Sequence, residues 1–229
     1  MDLTPALILS MWAGGMAAGA SLIAAWKVVG VGYLWLAGGV VAAVAAIAGM
    51  AADSAVTSGS WAWAGAVIAL VAVAFARRPI AATVLFGAAA VALLGASLGD
   101  SPLLPALSGT VFMGAVSSEM MLGHWYLVDP TLPRWPLLTL DAVAGLALVA
   151  DFGYVAVTGP IVFSGADGVF GMAYVALAGF TTLLIVGVWF SLREPTYSGV
   201  MSATGLSYLA VLTTFGVVTL GRVLVTGGL

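Results

Sequence analysis

Long apolar runs separated by short polar connections make up almost the whole chain, and none of these runs alternates apolar with polar residues. A helix that crosses a bilayer needs about 20 mainly apolar residues, whereas a membrane β-strand shows alternation over about ten. The pattern therefore predicts an all-α, polytopic membrane protein with about eight transmembrane helices and no soluble domain. The predicted spans are residues 4–26, 28–50, 60–76, 79–99, 106–128, 137–159, 168–192 and 198–226.

Basic residues indicate how these spans are oriented. The loops after the odd-numbered spans contain Lys27, Arg77, Arg78, Arg134 and Arg193. The N-terminus and the remaining loops contain neither Lys nor Arg, but they contain Asp2, Asp53, Asp100 and Asp167. Because Lys and Arg are enriched in cytoplasmic loops, both termini are expected on the extracytoplasmic side of the cell (plasma or inner) membrane. Adding or removing one span would break this charge pattern, which supports the count of eight.

Composition excludes several classes of protein. Hydrophobic residues account for 63% of the chain and charged residues for 7%, with a net charge of −3 and no basic cluster. The lipid bilayer is therefore an expected partner, and nucleic acid is not, because phosphate binding requires clustered Lys and Arg. The absence of Cys excludes disulfides and thiolate ligands. A single His excludes a bis-His haem within the chain, so haem b is disfavoured and no metal site is predicted.

The chain is expected to form a single bundle, residues 1–229, with two possible halves, residues 1–104 and 105–229. The segment ALILSMWAGG that begins at Ala6 loosely resembles ALSGTVFMGA, which begins at Ala106. Away from helix ends, ionisable side chains occur only in the second half. Any electrostatic function is therefore expected there.

Three carboxyl groups fall inside the predicted spans of the second half: Glu119, Asp141 and Asp151. An ionisable residue inside a span costs roughly 2.5–3.5 kcal/mol on insertion scales, so each is a candidate functional group. Glu119 is predicted near the middle of the membrane, with the two aspartates about 15 Å apart on span six. We interpret the three as candidate proton-transfer groups. The alternative is that they only hydrogen-bond neighbouring helices.

An aromatic cluster with one His is predicted at the cytoplasmic interface. His124 and Asp141 each lie about four residues inside adjacent antiparallel spans, so a His–carboxylate contact is expected. Together with Trp125, Tyr126 and Arg134, His124 suits a quinone headgroup, which makes quinone a possible ligand. A lipid headgroup fits equally well, and plain interfacial anchoring is the third possibility.

Arg222 is the basic residue predicted inside a span, span eight, and it is expected to form an ion pair with Asp151 in span six. Both residues are predicted towards the extracytoplasmic half of the membrane. This structural ion pair would make spans six and eight neighbours. Proton transfer through Asp151 remains the alternative.

Three functions are compatible with these residues. The chain is either a membrane subunit of a respiratory-type electron-transfer complex that binds quinone, a small proton- or cation-coupled transporter, or a structural or assembly subunit. The first requires other membrane or peripheral redox subunits as partners, and the second allows a homo-oligomer. Whether the chain acts in an enzyme is left open, since at most it is a subunit without its own redox centre in an oxidoreductase complex.

Overall fold

The computed structural model describes residues 3–52, 57–159, 161–163 and 168–226, and within these ranges it contains α-helices and no strand. The helices are α1 (Pro5–Trp26), α2 (Val31–Ala51), α3 (Thr57–Ala74), α4 (Pro79–Asp100), α5 (Leu103–Val128), α6 (Trp135–Thr158), α7 (Gly168–Arg193) and α8 (Tyr197–Thr226). The prediction of an all-α, polytopic architecture is confirmed. No helix boundary differs from its predicted span by more than three residues.

Six of the helices are long and apolar enough to cross a membrane: α1, α2, α4, α6, α7 and α8. The other two pack within the same bundle. Helix α3 is the shortest of the eight, as the sequence predicts. Helix α5 has 26 residues, but Glu119 and the serines before it lower its hydropathy. Glu119 and the two serines directly before it, Ser117 and Ser118, lie on the inside of the bundle, which is where the candidate site is found.

Local sequence explains where the first helices begin and end. Thr4 caps α1 by accepting a hydrogen bond from the backbone N–H of Leu7, and Pro5 follows at the first helical position. Lys27 ends the helix in a left-handed conformation with φ of 55°. Helix α2 begins after Gly30, three residues later than predicted.

The helices form two rings of four. In the first half, α1, α2, α3 and α4 pack in sequence and α4 closes onto α1, and in the second half α5 to α8 follow the same order. The two rings are joined mainly by α1 and α5, which cross where Gly15 meets Gly114. A side chain on either glycine would collide with the opposite backbone. These small residues therefore allow the close crossing that membrane helices use for packing.

Both ends of the bundle can be identified from the contacts. A Cβ on Gly109 would lie 3.0 Å from Met11, near the start of α1, and 2.8 Å from Arg222, near the end of α8, so the described ends of the chain lie at the same end of the bundle. Lys27, Arg134 and Arg193 lie at helix ends on the opposite side. Asp100 ends α4 and accepts a hydrogen bond from Thr4. The aspartates at positions 2, 53 and 167, to which the sequence analysis assigns the outer side, lie outside the described residues.

Candidate functional site

The predicted partners Asp151 and Arg222 lie in contact. Arg222 Nη2 is 2.6 Å from Asp151 Oδ1, its Nη1 is 3.4 Å from Oδ2, and both side chains are fully buried. Helices α6 and α8 are therefore neighbours at this level.

Helix α5 completes this ion pair. Ser108 donates a hydrogen bond of 2.6 Å to Asp151 Oδ1, and Arg222 Nη2 donates one of 2.7 Å to the backbone carbonyl of Pro105. Gly109 leaves room for the guanidinium, since a Cβ there would lie 2.8 Å from Arg222 Nη2. Of the three guanidinium nitrogens of Arg222, Nε alone has no hydrogen-bond partner among the described residues. The cluster joins three helices, as expected of a group that fixes helix packing.

Glu119 lies in the interior of the second ring. Its side chain is 3% exposed, and it accepts a hydrogen bond of 3.0 Å from the hydroxyl of Ser207 on α8. Ser207 also lies 2.9 Å from the carbonyl of Ala203, one turn earlier. Within the described part of the chain, no ion pair with Glu119 is formed. The carboxyl group is therefore held by a neutral donor in a buried site.

Asp141 is the second carboxyl group of this interior site. It is 1% exposed, and its Oδ1 has no hydrogen-bond partner in the described ranges. It lies within electrostatic range of Glu119 across the α5–α6 interface. Ionising both groups would place two like charges in a low-dielectric interior, which is costly. The pair is thus suited to holding a proton.

His124 faces away from this pair. The expected contact with Asp141 is not formed: His124 is exposed on the side of the bundle, and its Nδ1 lies 3.2 Å from the hydroxyl of Tyr208 on α8. The prediction of equal depth ignored rotation about the helix axis. Five residues separate Glu119 from His124, about 140° of rotation, so both cannot face Asp141.

The other predicted quinone-binding residues have separate surroundings. Trp125 packs edge-on against Tyr33 of α2, with ring centroids 6.0 Å apart, and Tyr126 is buried in the apolar core. Arg134 donates hydrogen bonds to backbone carbonyls at and after the end of α7, among them those of Glu194 and Thr196. His124, Trp125 and Arg134 therefore contact three different parts of the bundle, namely α8, α2 and the connection after α7.

A cleft runs between α6 and α7. Its main part has a volume of about 650 Å³ and is almost entirely apolar, with Gly145, Gly153 and Gly179 among its walls. A second part of about 290 Å³ shares Gly145 and extends towards the end of the bundle where α6 begins. This end of the cleft is lined by Asp141, Trp189 and Phe190.

The sequence analysis missed several of these participants. Ser108 and Ser207 provide the hydrogen bonds to Asp151 and Glu119, but serines are frequent in this chain and their spacing carries no signal. Trp189 is not among the site residues that the sequence analysis predicts. Its ring lies under the guanidinium of Arg193, at 4.8 Å, and also forms part of the cleft.

Comparison with known proteins finds no family model, no curated protein and no solved structure that matches the chain. Among the described residues, no group of three or more His, Asp or Glu side chains is placed to hold a metal ion. The functional argument therefore rests on the buried carboxyl pair and the cleft beside it.

Proposed function

We propose that the chain is an integral membrane subunit of an electron-transfer complex in the cell membrane, which binds a quinone and passes its protons through Glu119 and Asp141. One observation carries the proposal: two buried carboxyl groups, Glu119 and Asp141, have no cation beside them among the described residues, and Asp141 lines a cleft that is apolar along most of its length. A quinone fits both features, because its apolar tail suits the cleft and its ring exchanges protons with a carboxyl group.

The chemistry divides between this chain and a partner. Oxidation of a quinol to a quinone releases two protons and two electrons. The electrons go to a haem or iron–sulfur centre of a partner subunit, since this sequence has one His and no Cys. Asp141 accepts the two protons from the ring hydroxyls one after the other, and passes each to Glu119 before it accepts the next.

The test uses the complex purified with its partner subunits and reconstituted in proteoliposomes. Glu119→Gln and Asp141→Asn keep the side-chain size but remove the exchangeable proton, so we expect quinol oxidation to fall by at least about tenfold. Ser97→Ala is the matched control, because Ser97 is equally buried but lies in the first half and bonds only its own helix. Quinol oxidation at the normal rate in both carboxyl variants refutes the proposal, as does a purified homo-oligomer that holds only phospholipid.

A proton- or cation-coupled transporter is the second candidate. The oxygens of Glu119, Asp141 and Ser207 come from three different helices in the interior of the bundle, an arrangement that suits a bound cation. This function needs no partner subunit. This transport function would be favoured if Glu119→Gln abolished proton or cation uptake by the purified chain and if no quinone were bound.

A further inference from the structure

We propose that the α6–α7 cleft is the quinone site, with the isoprenoid tail along its apolar part and the ring between Asp141, Trp189 and Phe190. This inference rests on the proposed function. It places the headgroup between α6 and α7, whereas the sequence analysis places it beside His124 on α5. The ligand would enter sideways from the bilayer rather than from water.

The dimensions of the cleft fit an elongated apolar chain. Its lining on α6 runs from Asp141 to Gly153, twelve residues, which corresponds to about 18 Å along the helix. The main volume of about 650 Å³ lies in the range of small-molecule sites. Gly153 and Gly179 have no neighbouring atom within 4 Å of a Cβ position, so these glycines leave space and are not packed against another helix.

At the smaller end of the cleft, which is otherwise apolar, Asp141 is the group that would select the headgroup. Asp141 is almost fully buried, and its Oδ1 lacks a hydrogen-bond partner among the described residues, a situation that normally costs free energy. A ring hydroxyl would satisfy the carboxylate, and a ring carbonyl would accept from the protonated acid. The flat rings of Trp189 and Phe190 provide aromatic surface beside this group. A phospholipid phosphate fits less well, because it would place a second negative charge near Asp141.

The first half of the protein provides an internal contrast. Its corresponding helices, α2 and α3, pack closely, and a Cβ on Gly49 would lie 2.8 Å from the ring of Trp63. No buried carboxyl group is found among the described residues of these helices. The open groove and the acidic residue therefore occur together, in the second half.

The experiment uses the full chain with its partners in nanodiscs and a photoreactive azidoquinone that carries a decyl tail. Labelling is expected on α6 and α7 peptides near Asp141 and Trp189. Gly145→Phe and Gly179→Phe fill the groove and are expected to reduce labelling by about tenfold or more, the equivalent of about 1.4 kcal/mol. Asp141→Leu is expected to weaken binding by a similar factor, the contribution of one strong hydrogen bond.

The control is Gly39→Phe on α2, where a Cβ also meets no atom within 4 Å, and labelling should be unchanged. If one groove variant fails to fold, the other, on a different helix, still tests the site. Quinone labelling near His124, with normal binding in both groove variants, overturns this inference but leaves the proposed function intact. Absence of quinone binding to the wild-type complex overturns both. A phospholipid that the azidoquinone cannot displace from the groove overturns the assignment of the ligand.

Discussion

Removing either partner of the Asp151–Arg222 ion pair should destabilise the protein, and by unequal amounts. Arg222 makes two hydrogen bonds to Asp151 and one to the carbonyl of Pro105, at 2.6, 3.4 and 2.7 Å. Breaking a buried pair by removing one partner costs about 3–5 kcal/mol, compared with about 0.6 kcal/mol for an average hydrogen bond between membrane helices. The effect should therefore be large enough to measure.

The inequality follows from what each substitution leaves behind. Asp151→Asn leaves a guanidinium that cannot lose its proton, so the full cost of about 3–5 kcal/mol is expected. Arg222→Met leaves a carboxyl group that can take up a proton and retains its hydrogen bond from Ser108, so we expect a smaller cost, roughly 1–3 kcal/mol. The double variant should be more stable than Asp151→Asn alone, because no unpaired charge remains.

The assay is reversible unfolding in mixed micelles, followed by tryptophan fluorescence, for the two single variants and the double variant. Gly153→Ala on the same helix is the control, because a Cβ there contacts nothing within 4 Å, and its free energy of unfolding should not fall but rise by at most about 1 kcal/mol, since Ala favours a helix over Gly. Equal costs for the two single variants, or strictly additive costs in the double variant, would refute the assignment of a tightly coupled buried pair.

Two further predictions concern helix packing. Gly15→Val should separate α1 from α5, because its Cβ would overlap the backbone of Gly114. We expect a lower melting temperature and loss of monomeric protein on size exclusion. Gly39→Val, the control, should behave as wild type. Arg134→Ala should free the connection between α7 and α8, whose carbonyls Arg134 binds. We expect faster backbone amide exchange at Glu194 and Thr196, with little change at Gly15, and unchanged exchange at Glu194 and Thr196 would contradict this prediction.

The sequence allowed the helices and one of their contacts to be predicted for identifiable reasons. Apolar length sets where a helix crosses, so the boundaries came within three residues. The ion pair could be predicted because Arg222 cannot face lipid cheaply and Asp151 is a carboxyl group at a similar depth. In each case the residue type restricts which neighbour is acceptable.

The predicted contact between His124 and Asp141 failed because depth does not determine direction. In a soluble protein, a polar stripe shows which face of a helix is outside, but lipid-facing and buried residues of a membrane helix are both apolar. His124 and Asp141 were therefore placed at one level, with no signal to show that they point to different sides of the bundle.

The same ambiguity concealed the cleft. Gly15 and Gly145 are indistinguishable in sequence, yet a Cβ on Gly15 overlaps a neighbouring backbone, whereas one on Gly145 comes no closer than 3.8 Å to the side chain of Ile185. Small residues allow helices to approach closely, but where a partner helix stands further away they leave a groove. The packing of α6 against α7 decides between these outcomes, and here it leaves an apolar cleft with Asp141 at one end. A helix that carries glycines and a buried, unpaired carboxyl group thus becomes a candidate ligand site only once its neighbour's position is known.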